Sequence, residues 1–319
     1  MEPMNLILDT DVGADCDDMM ALAYLVFAQR YHQIRIKAVS YSNGCPAGPM
    51  ALAAFFGHLS EETPPIGCPP RGRMKKYDHY TSVVAGRFAE YARSFERGDA
   101  VSVLRRALVE SGRAVLCGIG PMTNLAALLE SKGDAISPLD GRTLLRRHAE
   151  RIVLMAGRFD SADAAEAEWN VKVDVAAAQT VLQKSPVPVD VLPYETGLHI
   201  ITGKPLVERF ENGNPVGCAF WEFPGVREKG GRHSFDGAAV LYAAEGCGDF
   251  FDESEQGSVT VDADGKTHFI PTRGGLHRIV RVKVREGESE QACKDRIAAY
   301  LDACAMRIYA EWQPPEPRG

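Results

Sequence analysis

The chain has 319 residues, 45% of them hydrophobic, which is enough to bury a sizeable core as one large α/β domain or two smaller ones. A formal net charge of −7 and no block of Lys or Arg argue against a nucleic-acid backbone as partner. The first apolar run is short and followed by aspartates, so neither a signal peptide nor a membrane span is expected, and a cytoplasmic protein is.

Residues Asn5 to Leu25 read NLILDTDVGADCDDMMALAYL. Leu6-Ile7-Leu8 suits a buried strand, and Met19, Met20, Leu22, Ala23 and Val26 open a helical pattern that Asp17 or Asp18 would cap. Between them stand Asp9, Asp11, Asp15, Asp17 and Asp18, and such crowded carboxylates repel one another unless a cation or hydrogen-bond donors hold them. Hard divalent cations take oxygen ligands of this kind, and Gly13 lets the backbone turn between the aspartates. The eight cysteines show no CxxC spacing, which excludes zinc-ribbon and dithiol redox motifs and predicts reduced thiols.

Further along, Ile34–Ser42 alternates as a strand and leads past Asn43-Gly44 into a small-residue helix, Pro49–Leu59. A short strand at Ile66-Gly67 lies in the proline-rich turn Pro64–Pro70, and helical periodicity is best over Val83–Phe95. Asp99–Ser111 reads as an amphipathic helix, Ala114–Ile119 as a fully apolar strand, and Thr123–Leu129 as a helix started by Thr123 and Asn124. Arg151–Met155 and Val187–Leu192 are strands around the helix Val175–Leu182. Strands alternating with helices predict an α/β fold: a three-layer, mostly parallel sheet with helices on both faces. Ligands of such sheets bind beyond the carboxyl ends of the strands, where the aspartates, Asn43, Gly120 and Gly157 fall.

After residue 200 the rhythm changes: a charged loop at Gly225–Gly231, loop into helix over His233–Ala244, and a hairpin around Asp264-Gly265. The strand His277–Val284 and the helix Ser289–Ala305 follow. A single domain over residues 1–313, with extra C-terminal hairpin and helices and a frayed tail at 314–319, is the simplest organisation.

The order of apolar strand, D-T-D-x-G-x-D-x-D-D and apolar helix resembles the inosine–uridine preferring nucleoside hydrolase family, in a long variant of its acidic motif. Three later segments resemble the family in the same order: LCGIGPMTNLA at 116–126, EAEWNVKVDV at 166–175 and HSFDGAAVLY at 233–242. The resemblance implies calcium-dependent hydrolysis of the N-glycosidic bond of a ribonucleoside, with Asp11 as general base for a calcium-bound water. It makes Asp11, Asp18, Asp236 and the carbonyl of Ile119 the calcium ligands. It places Asp17, Asn43, Glu168, Asn170, Asp236, Trp169 and Phe235 against the substrate, and leaves Asp15 without a counterpart. On an extended segment Glu168 and Asn170 would share a face, with Trp169 either core or packed against the sugar. A role in nucleoside salvage and a homodimer or homotetramer are also implied.

Two departures stand out. Purine-cleaving members carry His before the last aspartate as acid for the leaving base, and this chain has Phe235 there. The family's ribose-binding Asn is missing from AGRFDSADAA at 156–165. An aromatic ring can stack on a base, alongside Trp169 or Trp221, but cannot protonate it, so a pyrimidine-type leaving group is expected over inosine. His233, two residues away, is the competing acid. Two other readings compete: a haloacid-dehalogenase-type phosphatase with Asp9 as nucleophile, and a calcium- or nucleoside-binding relative without turnover.

Overall fold

The computed structural model describes residues 3–31, 34–59, 61–69, 75–92, 94–159 and 166–311, so the expected tail lies outside the described residues. The strands are β1 (Met4–Thr10), β2 (Ile34–Tyr41), β3 (Ile66–Cys68), β4 (Arg97–Asp99), β5 (Ala114–Gly118), β6 (Ala149–Met155) and β7 (Val189–Leu192). Then come β8 (Ile201–Thr202), β9 (Arg232–His233), β10 (Phe251–Glu253), β11 (Gly257–Val261), β12 (Thr267–Pro271) and β13 (His277–Val282). Among the described residues eleven strands form one sheet, ordered β12, β11, β13, β7, β6, β5, β1, β2, β3, β4, with β10 paired to β13. From β4 to β13 every neighbour is parallel, and only β10 and the β11–β12 hairpin run antiparallel. β8 and β9 form a separate antiparallel ribbon.

Side-chain alternation along the strands divides the core into two layers. Leu6 and Leu8 of β1, Val115 and Cys117 of β5 and Val153 of β6 join the layer under the helices Asp17–Tyr31, Phe235–Glu245 and Glu290–Ala310. Ile7, Leu116, Ile152 and Leu154 point the other way, against Ala100–Ser111, Thr123–Glu130 and Gly141–His148. The expected three-layer α/β arrangement is therefore what forms. The helix Asp17–Tyr31 is buried from Asp17 to Ala28, as expected of a helix that is apolar all round.

The chain moves from β1 outward through β2, β3 and β4, then crosses back to the other side of β1 for β5, β6 and β7. The winding reverses between β1 and β5, and such a reversal opens a crevice at the strands' carboxyl ends. The acidic loop leaves β1 at this point.

Several elements differ from the sequence expectation. The helix expected over Val83–Phe95 is Thr81–Arg87, ending just past Gly86, followed by a single 3-10 turn at Ala89–Tyr91. Helices at Gly141–His148 and Pro215–Glu222 carried unread cap signals. Asp140 accepts from the Thr143 N–H at 2.7 Å, and Asn214 accepts from the Gly217 N–H at 2.8 Å. Neither Thr123 nor Asn124 caps its helix, whose N-cap position is Met122. Both side chains are used elsewhere, as described below.

His58 ends the helix Gly48–His58 with its ring edge-on to Phe88, Tyr91 and Tyr309, at 5.5, 4.7 and 5.8 Å between centroids. Burial lowers its pKa to about 4. Between pH 6.5 and 4 the unfolded chain therefore binds the proton and the native protein does not, so stability falls as pH falls through that window. A shift of this size is worth on the order of 3 kcal/mol. Thermal unfolding from pH 7 to 4 should show a shallower acid limb in His58→Phe than in the wild type, and parallel limbs would refute the assignment.

Candidate active site

The acidic loop is held from both sides before any ligand is considered. Gly13, at φ +107°, makes the turn, and an added Cβ there would meet Thr81 at 2.9 Å and the Tyr77 carbonyl at 3.0 Å. Asn43 follows β2, and its Nδ2 donates to the carbonyls of Asp11, Val12 and Tyr77 at 3.2, 3.1 and 2.9 Å. Its Oδ1 accepts from the N–H groups of Cys45 and Tyr77 at 3.1 and 3.0 Å. The Tyr80 hydroxyl accepts from Gly13 N–H at 2.9 Å and donates to the Asp15 carbonyl at 2.8 Å. Asn43 was expected to reach the substrate. Both ends of its amide are spent on backbone, and it does not line the cavity.

Asp9 is also structural. It is buried, its Oδ2 accepts from Ser40 and from Asn124 Nδ2 at 3.0 Å, and burial pushes its pKa up to about 6. It does not line the cavity, so the phosphatase reading loses its nucleophile. Thr123, the other residue expected to start the helix, donates to Asp174 at 2.6 Å.

A cavity of about 350 Å³ lies at the carboxyl ends of β1, β5 and β6 and is lined by Asp11, Asp15, Asp17, Glu168, Asn170 and Asp236, among others. Asp17, Asp18 and Asp236 each bring one carboxylate oxygen within 4.8 Å of the others. Asp17 Oδ2 also accepts the Asp236 N–H at 3.0 Å, which ties the start of the helix Phe235–Glu245 to the acidic loop. Asp18 accepts from Thr10 through Oδ1, while its buried Oδ2 has no partner among the described residues. Burial and mutual repulsion hold Asp11, Asp18 and Asp236 well above the usual carboxylate range, and the same causes push Asp17 up to about 8. Asp17, assigned to a sugar hydroxyl by the resemblance, thus sits within the cation-sized cluster. Asp11 lies beside that cluster and is the strongest charge acting on Asp18.

Glu168 and Asn170 reach the cavity by a different local structure from the one expected. The segment is not extended: Glu168 caps the helix Trp169–Val173, accepting from Asn170 N–H at 2.9 Å, Val171 N–H at 3.3 Å and Gly157 N–H at 3.2 Å. An Asx- or Glu-type cap competes well with a strand wherever no neighbouring strand offers hydrogen bonds. Burial nevertheless pushes Glu168 up to about 7. Asn170 Nδ2 bridges the carbonyls of Ile119 and Met155 at 3.3 and 3.1 Å, so it ties the exits of β5 and β6 together. Ile119 also lines the cavity, as its expected role as a carbonyl ligand requires.

Aromatic rings form the rest of the wall. Trp169 is 50% exposed rather than core, edge-on to Tyr77 at 5.4 Å. Phe235 stacks on Tyr194 at 5.2 Å with 21° between planes. Trp221 is not in the cavity and pairs with Arg227 instead, 4.8 Å from guanidinium to ring. His233 is outside it too, its Nδ1 accepting from His199 N–H at 3.0 Å. Asp15 now has a partner: Arg232 of β9 grips both its oxygens. Arg232, Arg158 and His79 line the cavity without belonging to any matched motif, and Tyr194, in the segment 193–203 that weakly resembles the family, lines it with them.

Residues 6–303 match the family described as inosine-uridine preferring nucleoside hydrolase. The fold is similar to an inosine-uridine preferring nucleoside hydrolase from Bacillus anthracis, with a TM-score of 0.68 at 16% identity over 95% of this chain and 99% of that one. It is equally similar to a purine-preferring ribonucleoside hydrolase from Gardnerella vaginalis, TM-score 0.68 at 18% identity over 94% and 99%. An uncharacterised protein of Schizosaccharomyces pombe is 33% identical over 104 residues, a match spanning 32% of this chain and 30% of that relative.

The wiring of Asn43 yields a distinct expectation. Asn43→Ala removes all its amide bonds at once and should cost roughly 2–4 kcal/mol of stability, read by denaturant unfolding. Asn43→Asp would set a further carboxylate against those carbonyls beside the crowded aspartates and should be no more stable than Asn43→Ala. Unchanged stability with a raised KM would restore Asn43 to the substrate.

Proposed function

The chain belongs to the inosine-uridine preferring nucleoside hydrolase family, and from that premise we propose that it cleaves the N-glycosidic bond of a ribonucleoside with water, releasing ribose and free base. The observation that carries the reading is the convergence of Asp17, Asp18 and Asp236, buried together beside a cavity that Glu168, Asn170 and Asp11 also line. Supporting a divalent cation are the orphaned Oδ2 of Asp18 and the repulsion among these acids. The donors are all oxygen, which favours Ca²⁺. Asp17, Asp18 and Asp236, with Asp11 and the Ile119 carbonyl, would hold it. Bound Ca²⁺ supplies a fixed positive charge that relieves the repulsion and orients oxygen groups.

The chain's own residues do the rest. The Asp11 side chain lines the cavity, with no donor from another described residue, and accepts the proton of the water that attacks C1′. Glu168, Asn170 and Asp17 hold ribose hydroxyls and fix the sugar's attitude to that water. As the bond to the base breaks, the sugar passes through an oxocarbenium-like state. Phe235 and Tyr194 flank the departing base and exclude water. Neither Phe235 nor the displaced His233 is placed to protonate a purine, so a pyrimidine-type base leaves more readily than hypoxanthine.

Ribose release from inosine and uridine, with and without chelator, tests the reading. Uridine should be cleaved faster, chelator should stop both, and Asp11→Ala should lower kcat by about 10²–10⁴. Rapid inosine cleavage abolished by His233→Ala would instead make His233 the acid. Ribose release unaffected by chelator would remove the cation from the mechanism.

The cation has its own readout. Ca²⁺ should raise the Tm of the wild type, because a ligand bound only by the native state stabilises it. Asp18→Asn should lose most of that rise, and an equal rise in the variant would place the cation elsewhere.

A further inference from the structure

Arg158 follows β6 and Gly157 and lines the same cavity. Thr267 of β12 pins its backbone twice: Arg158 N–H donates to Oγ1 at 3.0 Å, and Oγ1 donates to the Arg158 carbonyl at 2.9 Å. The guanidinium lies over Tyr194, 3.9 Å from ring centroid to Cζ, and so extends the stack of Tyr194 on Phe235. No carboxylate among the described residues forms an ion pair with it, although Glu168 is near enough to feel its charge, and its buried Nε has no hydrogen-bond partner among those residues. The other cation of the cavity, Arg232, is by contrast held by Asp15. A half-buried guanidinium with no ion pair among the described residues is costly on its own, and the paired oxygens of a carboxylate or phosphate are the partners its fork matches.

Resting on the hydrolase reading above, we propose that the substrate is an anionic riboside whose phosphate or carboxylate oxygens are bound by Arg158. Two positions of the anion suit this place. Glu168 accepts the N–H of Gly157, the residue before Arg158, so the guanidinium stands next to the group assigned to the ribose. A phosphate on the ribose 5′ oxygen would use that side. Arg158 also caps the ring stack that flanks the departing base, where a base carboxylate would lie. The acidic loop opposes either anion, but Asp15 is neutralised by Arg232, and Asp17, Asp18 and Asp236 by the cation of the same reading.

Steady-state kinetics on uridine, uridine 5′-monophosphate and orotidine separate the outcomes. In the wild type at least one anionic riboside should exceed uridine in kcat/KM by about tenfold or more, as a charge-assisted pair allows. An advantage for the monophosphate alone places the anion on the ribose, and one for orotidine alone places it on the base. Arg158→Gln should bring the favoured ratio to about one, and Arg158→Lys should retain part of it. Uridine cleaved as well as both anions by the wild type would overturn the proposal without any variant. So would an equal loss on all three substrates in Arg158→Gln, the mark of a purely structural role. Absence of free base from all three would overturn the hydrolase reading as well.

Discussion

Mutual repulsion among buried carboxylates governs this molecule. Asp9, Asp11, Asp17, Asp18 and Asp236 are all withdrawn from water at the carboxyl edge of the sheet. Like charges so placed cannot all ionise unless something positive or donating meets them. The structure supplies part of the answer from its own atoms. Thr10 donates to Asp18, Ser40 and Asn124 donate to Asp9, and Arg232 takes Asp15. What is left over, at Asp17, Asp18 and Asp236, is a cluster of oxygens that suits a hard cation.

The scaffold around this cluster is accordingly stiff. β1 is flanked on both sides by parallel strands, and the loop leaving it is held by Asn43 from β2 and by Tyr80 from the segment opposite. Gly120 brings the exit of β5 so close that an added Cβ would stand 3.0 Å from the Asp11 nitrogen. Asn170 joins the ends of β5 and β6. Groups that must hold an ion and a sugar in fixed geometry are better placed on such packed strand ends than on free loops.

The opposite wall is of another character. Trp169 and Tyr77 meet edge to face, while Arg158, Tyr194 and Phe235 stack in sequence. These rings present flat apolar faces with few fixed donors, which favours planar groups by shape and exclusion of water. The cavity is thus divided between a side built of carboxylates and amides and a side built of rings and a guanidinium. That division parallels the two halves of a nucleoside, a polyhydroxylated sugar and a flat base.

The sequence alone determined the elements whose signals are local. The apolar run before Asp9, the glycine among the aspartates and the helical spacing after Asp18 follow from nearest-neighbour sterics and periodic burial, and β1 and the helix Asp17–Tyr31 form where those signals stand. The hairpin around Asp264-Gly265 was legible for the same reason. Only the tertiary structure decided roles that depend on which distant segment arrives beside a side chain. Asn43 and Asn170 carry the same amide, yet one is spent on the acidic loop while the other lines the cavity. Asp15 acquired Arg232 across 217 positions of chain, and Arg158 came to lie over Tyr194 with no ion pair among the described residues. No periodicity encodes such meetings, because hydrogen bonds and ion pairs are satisfied in space by whichever partner the packing of the sheet and helices brings within reach.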